Sequence, residues 1–270
     1  MQIDNILFGL GICFFAGLAT SIGSGLIYFI EFKEKDLGKI LSIALGISAG
    51  VMIAISIFEL IPYTLEETDF FSTIISFFVG FIIIMVIDFL IPHSYKAENT
   101  PNFHDIRELE NDSFLQKQYD VKRAGYLTAL GLAIHNLPEG VTSFSGFIIS
   151  PILGITTALA IAIHNIPEGL SVSVPLASSG QSKNKAFLIG SFSGLMEPIG
   201  AIIALLLILP LFNNIEFSIA LILSFVAGIM IFISIDELLP IAFKYNLHNV
   251  TTLSILIGML IMVVTLLVLH

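Results

Sequence analysis

The sequence predicts an all-α membrane protein of eight transmembrane helices in a 3+2+3 inverted-repeat arrangement, with both termini outside. Three observations carry this reading. Of the 270 residues, 56% are hydrophobic and only 12% charged, about half the charge of a typical soluble domain. The apolar residues fall in eight windows, at 5–30, 39–61, 71–92, 123–148, 152–176, 185–210, 216–241 and 249–269, each near the roughly 20 residues that a membrane helix needs. Two of those windows share a long segment in opposite membrane orientation. This composition excludes an ordinary soluble enzyme. Residues 1–270 form one transmembrane domain, with no room for a second. The single cysteine, Cys13, excludes an internal disulfide and any multi-cysteine metal centre.

The elements follow in order. Met1 to Asn5 carries no basic residue, so the first window reads as a retained span and not as a signal peptide. It ends at the charged run Glu31 to Asp36, and the second window ends at Pro62 to Asp69. After the third comes the one long polar stretch, 93–122, read as a partly disordered loop. Short separators at Ser178 to Lys185 and Asn213 to Glu216 divide the later windows. Basic residues test this division, because Lys and Arg in short loops stay on the cytoplasmic side. Lys33, Lys35 and Lys39 follow the first window. Lys96, Arg107, Lys117, Lys122 and Arg123 follow the third, Lys183 and Lys185 the fifth, and Lys244 the seventh; these are all 11. The 93–122 loop is therefore cytoplasmic.

Acidic residues break the pattern of an inert membrane protein. Glu59, Asp88, Glu139, Glu168, Glu197, Asp236 and Glu237 fall within spans, where no basic residue neutralises them. An ionised carboxylate at the bilayer centre costs roughly 2.5–3.5 kcal/mol even on lenient scales. A cation, a proton or water has to compensate.

Ala49 to Pro62 (AGVMIAISIFELIP) matches Ala227 to Pro240 (AGIMIFISIDELLP) at ten of fourteen positions. The two segments lie in the second and seventh windows, which cross the membrane in opposite directions, the mark of an inverted repeat. Glu59 and Glu237 become related acids at opposite mouths, and a route through the protein is implied. Taken singly, each reads equally as a helix-end acid touching interfacial water.

A second repeat, HNLPEG at His135 to Gly140 and HNIPEG at His164 to Gly169, lies on adjacent antiparallel helices. Counted from the window starts, each His is about 18 Å deep, near the middle of a hydrocarbon core about 30 Å thick. Glu197 reaches the same depth. Residues three and four apart share a helix face, so each Glu serves both its His and its Asn. The facing copies can hold two adjacent metal positions. The first would take His135, Glu139, His164 and Glu168; the second Asn136, Glu139, Asn165, Glu168 and Glu197. Imidazole and carboxylate donors suit Zn(II), Fe(II), Co(II) and Mn(II). Pro138 and Pro167 free the carbonyls of Ile134 and Ile163, backbone that membranes tolerate along a hydrated cavity. Met52, midway along the second window, is a candidate soft ligand, although a Met there also reads as packing. Asp88, Asp236 and Glu237 would line an inner vestibule, and His93 and His104 could receive departing metal.

These residues resemble the ZIP family of divalent metal transporters, in particular its bacterial broad-specificity zinc-uptake branch. The likeness spans the whole chain: eight windows, the long loop after the third, the paired HNxPEG motifs and SGLMEPIG at Ser193 to Gly200. The resemblance implies uptake of Zn(II), and of ions such as Fe(II), Mn(II), Co(II) and Cd(II), through a binuclear site with Met52 as an additional ligand. It also implies a multi-pass protein of the plasma or bacterial inner membrane, and an elevator-like movement of helices one, four, five and six. Protons compete for the same His and Glu ligands, so transport should depend on pH. No nucleotide-binding motif supplies ATP, and nothing calls for nucleic acid as a partner. A homodimer and a monomer fit the sequence equally. The second reading is an intramembrane metal-dependent hydrolase, but the chain lacks HExxH and leaves no Glu spare as general base.

Overall fold

A computed structural model of the chain describes residues 3–30, 34–90, 112–208 and 215–269, and among the described residues there are helices and turns and no strand. Helix α1 (Ile3–Gly25) closes in a 3-10 turn, Leu26–Tyr28. Helix α2 (Glu34–Ile55) continues through a π turn, Ser56–Leu60, into α3 (Ile61–Glu67). Next come α4 (Phe70–Leu90), α5 (Asp112–Ile149) and α6 (Pro151–Ser178). Helices α7 (Lys183–Gly194) and α8 (Met196–Ile203) form one broken segment. A π turn, Ala204–Ile208, follows α8, and helix α9 (Ile215–Ile233) passes through another, Ser234–Leu238, into α10 (Leu239–Phe243), after which α11 (His248–Leu269) follows.

Prolines explain the irregular turns. Pro62 and Pro240 have no N–H to give the carbonyl one turn back, so the helix widens to i→i+5 bonding, a form common at functional positions. The π turns before Pro62 and Pro240 carry the same side-chain bond: Ser56 Oγ donates to the Met52 carbonyl and Ser234 Oγ to the Met230 carbonyl, each at 2.8 Å. Glu59 sits in the widened turn before Pro62, Asp236 and Glu237 in the one before Pro240. Pro198 likewise cannot reach the Gly194 carbonyl. There the chain takes a tight turn, Leu195 N donating to Phe192 O at 3.1 Å, before α8 restarts. Asp69 caps α4 by accepting from the amides of Phe71 and Ser72, which holds its carboxyl below the usual range, the Ser72 hydroxyl contributing most.

Among the described residues, six segments are long and apolar enough to cross a membrane: 4–28, 38–67, 70–89, 183–206, 216–243 and 248–268. Helices α5 and α6, which carry the HNxPEG motifs, are not among them. They can be polar because they are interior: α6 packs on α1, α2, α5 and α7, and α5 on α1, α6, α7, α8 and α9. The outermost helices show the reverse, with Phe71 75% exposed on α4 and Leu267 76% exposed on α11. Helix α5 also differs from expectation. It begins at Asp112, so the end of the stretch read as loop is helical; its charged first turns hold no apolar run for a membrane window to register. His93 and His104 lie outside the described residues.

Glycines set the helix crossings. A Cβ on Gly17 would overlap the Gly194 carbonyl, on Gly23 that of Ile166, on Gly169 that of Thr20, on Gly140 that of Glu197 and on Gly200 that of Leu137. These contacts bind α1, α5, α6, α7 and α8 at backbone distance. Gly50 and Gly258 bind α2 to α11 in the same way, and Gly80 and Gly228 bind α4 to α9. At one end of the bundle three connections meet: Lys183 Nζ donates to Ile30 O, Tyr28 Oη donates to Asn184 Oδ1, and the Tyr245 ring lies against Gly38.

Candidate metal centre

Helices α5 and α6 form a hairpin that turns at Ser150. Gly154 seats directly against Phe147, which draws the two helices together. Their motif faces then meet. His135, Asn136, Glu139, His164, Asn165 and Glu168 are each at most 1% exposed, and Glu197 is fully buried beside them. The structure therefore brings together the seven residues that the two motifs and Glu197 supply.

The histidine side is built on one carboxylate oxygen. His164 Nε2 lies 2.8 Å and His135 Nε2 3.0 Å from Glu139 Oε1, while His135 Nε2 is 3.6 Å from Glu168 Oε1. His135 Nε2 is off the line that a hydrogen bond requires, since that nitrogen has no hydrogen-bond partner among the described residues. Its spacing suits a different purpose. Ligands about 2.0–2.1 Å from a tetrahedral ion stand roughly 3.3 Å from one another, and these donors bracket that value. Ligand atoms of His135, His164 and Glu168 all lie within 4.8 Å of each other.

The asparagine side is anchored by backbone. Asn136 Nδ2 donates to Ser193 O at 3.1 Å and Asn165 Nδ2 to Ala16 O at 3.0 Å; Asn165 Nδ2 also donates to Glu197 Oε1. With the amide nitrogens held, the oxygens are what the layer has to offer. Asn136 Oδ1, Asn165 Oδ1, Glu139 Oε2, Glu168 Oε2 and Glu197 Oε2 are buried with no hydrogen-bond partner among the described residues. Buried polar atoms normally find partners, and so many acceptors at one level constitute a set of donors for a cation. None of the described ion pairs brings Lys or Arg to them.

Helix α2 closes the histidine side. Met52 is fully buried, and Ser48, one turn before it, places Oγ 4.0 Å from the Met52 sulfur and 3.4 Å from Glu168 Oε1. Sequence reasoning missed Ser48; its i, i+4 spacing from Met52 was the available signal. The acids expected along a pathway stand on elements other than α5, α6 and α8. Glu59 is buried in its π turn, seven residues beyond Met52. Asp88 and Glu237 line a small pocket with Ile84, Ile87, Gly131, Ile134 and Ile233. That pocket reaches the residue just before His135, whose carbonyl Pro138 leaves without its helical donor. Asp236, on the same π turn as Glu237, is exposed and is not in the pocket lining.

Residues 8–266 match the family model described as ZIP Zinc transporter. The chain is similar to proteins named Zinc transporter ZupT. That of Chlorobaculum parvum is 41% identical over 273 residues, covering 98% of both chains. That of Clostridium perfringens is 41% identical over 285 residues, 98% of this chain and 97% of the relative. That of Streptococcus mutans is 43% identical over 261 residues, 93% and 94%.

Proposed function

The chain belongs to the ZIP family of zinc transporters, and from that premise we propose that its buried His–Asn–Glu layer is the site through which metal crosses the membrane. The protein is a multi-pass membrane transporter for divalent metal uptake and not an enzyme. Zn(II) is the cargo that the relatives' names support. The same nitrogen and oxygen donors suit Fe(II), Mn(II), Co(II) and Cd(II). One observation carries the site assignment: carboxylate and amide oxygens with no hydrogen-bond partner among the described residues, beside two imidazoles, fully buried and with no Lys or Arg in the described ion pairs. Burying that many acceptors costs several kcal/mol, which a divalent ion offsets.

The ion is held at two adjacent positions. His135, His164, Glu139 and Glu168 take one, with Met52 behind them; Asn136, Asn165, Glu197 and the same two Glu take the other. Metal enters from outside past Glu59 and leaves past the pocket of Glu237 and Asp88, with Asp236 beyond it. The frame is eight spans in a 3+2+3 inverted arrangement, termini outward, in the plasma or bacterial inner membrane; the paired π turns and paired glycine crossings support it. Zinc flux into proteoliposomes tests the whole reading. Wild-type protein moves zinc, and Glu139→Ala and Glu168→Ala abolish the flux. Undiminished flux in those variants would refute the site.

A further inference from the structure

The sequence holds an internal match besides the two already described. Gly17 to Gly23 (GLATSIG) and Gly194 to Gly200 (GLMEPIG) share Gly, Leu, Ile and Gly at the same places. Packing repeats the match. Gly17 and Gly194 each seat on the other's carbonyl. Gly23 with Gly169 closes α1 on α6, as Gly200 with Gly140 closes α8 on α5. The residues just before the matched glycines, Ala16 and Ser193, accept the Asn165 and Asn136 amides. The correspondence fails at one ligand: the counterpart of Glu197 is Thr20. Thr20 is fully buried, and its hydroxyl has no hydrogen-bond partner among the described residues. In the half that has Glu197, Asn165 Nδ2 donates to that carboxylate as well as to Ala16 O; in the other half Asn136 Nδ2 donates to Ser193 O, and the Thr20 hydroxyl stands where the carboxylate would be.

We propose that Thr20 occupies the place of a fourth carboxylate in the layer and that its neutral hydroxyl sets how tightly a pair of divalent ions is held. The inference rests on the reading of this layer as the cargo site. Glu139, Glu168 and Glu197 bring three negative charges to two ions that carry four positive ones. One positive charge stays uncompensated in surroundings where water screens poorly. The two ions repel, and occupation of the second position loosens the first. Thr20 Oγ1 still offers a lone pair, so the ion keeps an oxygen donor without the charge that would trap it. A carboxylate here would balance the pair and turn a transit site into a storage site.

Zinc per chain after equilibrium dialysis, with KM and Vmax for zinc flux in proteoliposomes, tests this on wild type, Thr20→Glu and the uncharged isostere Thr20→Gln. Thr20→Glu is expected to retain more zinc than wild type, with KM lower by about tenfold and Vmax lower as well; Thr20→Gln does not gain zinc. The same stoichiometry and KM in the Glu and Gln variants would overturn the proposal. Should Thr20→Glu not fold, the exchange Thr20→Glu/Glu197→Thr keeps three carboxylates and moves one across the match. It recovers zinc retention that Glu197→Thr alone loses, and no recovery overturns the proposal. A wild-type protein that moves no zinc strikes at the transport reading, whereas an active wild type with indistinguishable Glu and Gln variants strikes only at the role of Thr20.

Discussion

Glu139→Gln removes one charge from the layer and almost no volume. Glu139 Oε1 is the oxygen that both imidazoles approach, at 2.8 and 3.0 Å, and the side chain is 1% exposed. Removing one partner of a buried charge interaction costs about 3–5 kcal/mol. At 1.4 kcal/mol per decade that weakens zinc binding by roughly a hundredfold to a few thousandfold. In the zinc-free protein the Gln keeps an amide oxygen for the imidazoles to approach and removes a buried charge whose second oxygen has no hydrogen-bond partner among the described residues, so the change costs far less there than at the metal-loaded site. The two quantities therefore separate: affinity collapses while the melting temperature without zinc changes little. Titration against a chromophoric chelator in detergent gives the first, and scanning fluorimetry the second. Retained affinity refutes the shared-oxygen role. A joint fall of affinity and zinc-free stability refutes it too, because it would mark damage to the fold and not loss of a ligand.

Ser48→Ala removes a hydroxyl that donates to a carboxylate, a bond of about 1.5–3 kcal/mol; its 3.4 Å length places it at the weak end. KM for zinc is expected to rise by about tenfold with unchanged expression and melting temperature, and Ser48→Thr restores it; an unchanged KM removes Ser48 from the site. Gly140→Ala drives a methyl into the Glu197 carbonyl, overpacking that costs about 1–3 kcal/mol or more, so melting temperature and zinc flux fall together. Gly11→Ala, which meets nothing within 4 Å, leaves both intact. Lys244→Met acts through pH. Burial pushes the Lys244 ammonium down to about 8 from its ordinary 10.5, so between those values the unfolded chain binds the extra proton and stability climbs with pH. The burial penalty is complete below about 8. The Met variant should melt higher than wild type at pH 7, and the gap should close as pH rises through that window; a gap independent of pH contradicts the assignment.

Much of the site was legible in the sequence because its chemistry conflicts with its surroundings. A carboxylate in an apolar window has to be explained, and the HNxPEG spacing by itself shows which neighbours share a helix face. The π turns were half legible: Pro62 and Pro240 announce a break, but whether a helix bends, stops or widens depends on what packs beside it. The start of α5 at Asp112 was not legible, because a charged helix outside the apolar slab carries no membrane pattern. Ser48 was hidden by its ordinariness. A serine in an apolar helix usually bonds its own backbone, as Ser56 does with the Met52 carbonyl, and only the tertiary approach of α6 makes Ser48 a partner of Glu168. Asp236 and Glu237 show the reverse limit. Neighbours in sequence, they take different environments because successive side chains on a helix point about 100° apart, and only the packing beside the helix decides which of the two is covered.

The glycine crossings divide the ligands between bodies in a way that bears on how an ion could move. Seven of the site residues, His135, Asn136, Glu139, His164, Asn165, Glu168 and Glu197, stand on α5, α6 and α8, which glycine contacts lock together with α1 and α7. Met52 and Ser48 stand on α2, which glycine contacts lock to α11. Among the described residues a polar link between α2 and α6 is the Ser48 bond at 3.4 Å, far weaker than a backbone crossing that no side chain separates. If the first group travels as a unit past α2, its internal distances stay fixed while distances to α3 change. With Cys13 replaced by Ser, dye pairs report this directly. Asp4→Cys with Pro151→Cys labels two exposed positions within the group, and Glu67→Cys with Pro151→Cys spans the boundary. Transfer efficiency of the first pair should stay constant as zinc is added and withdrawn, while that of the second shifts. A shift in both pairs, or in neither, excludes a rigid carrier built on these glycines.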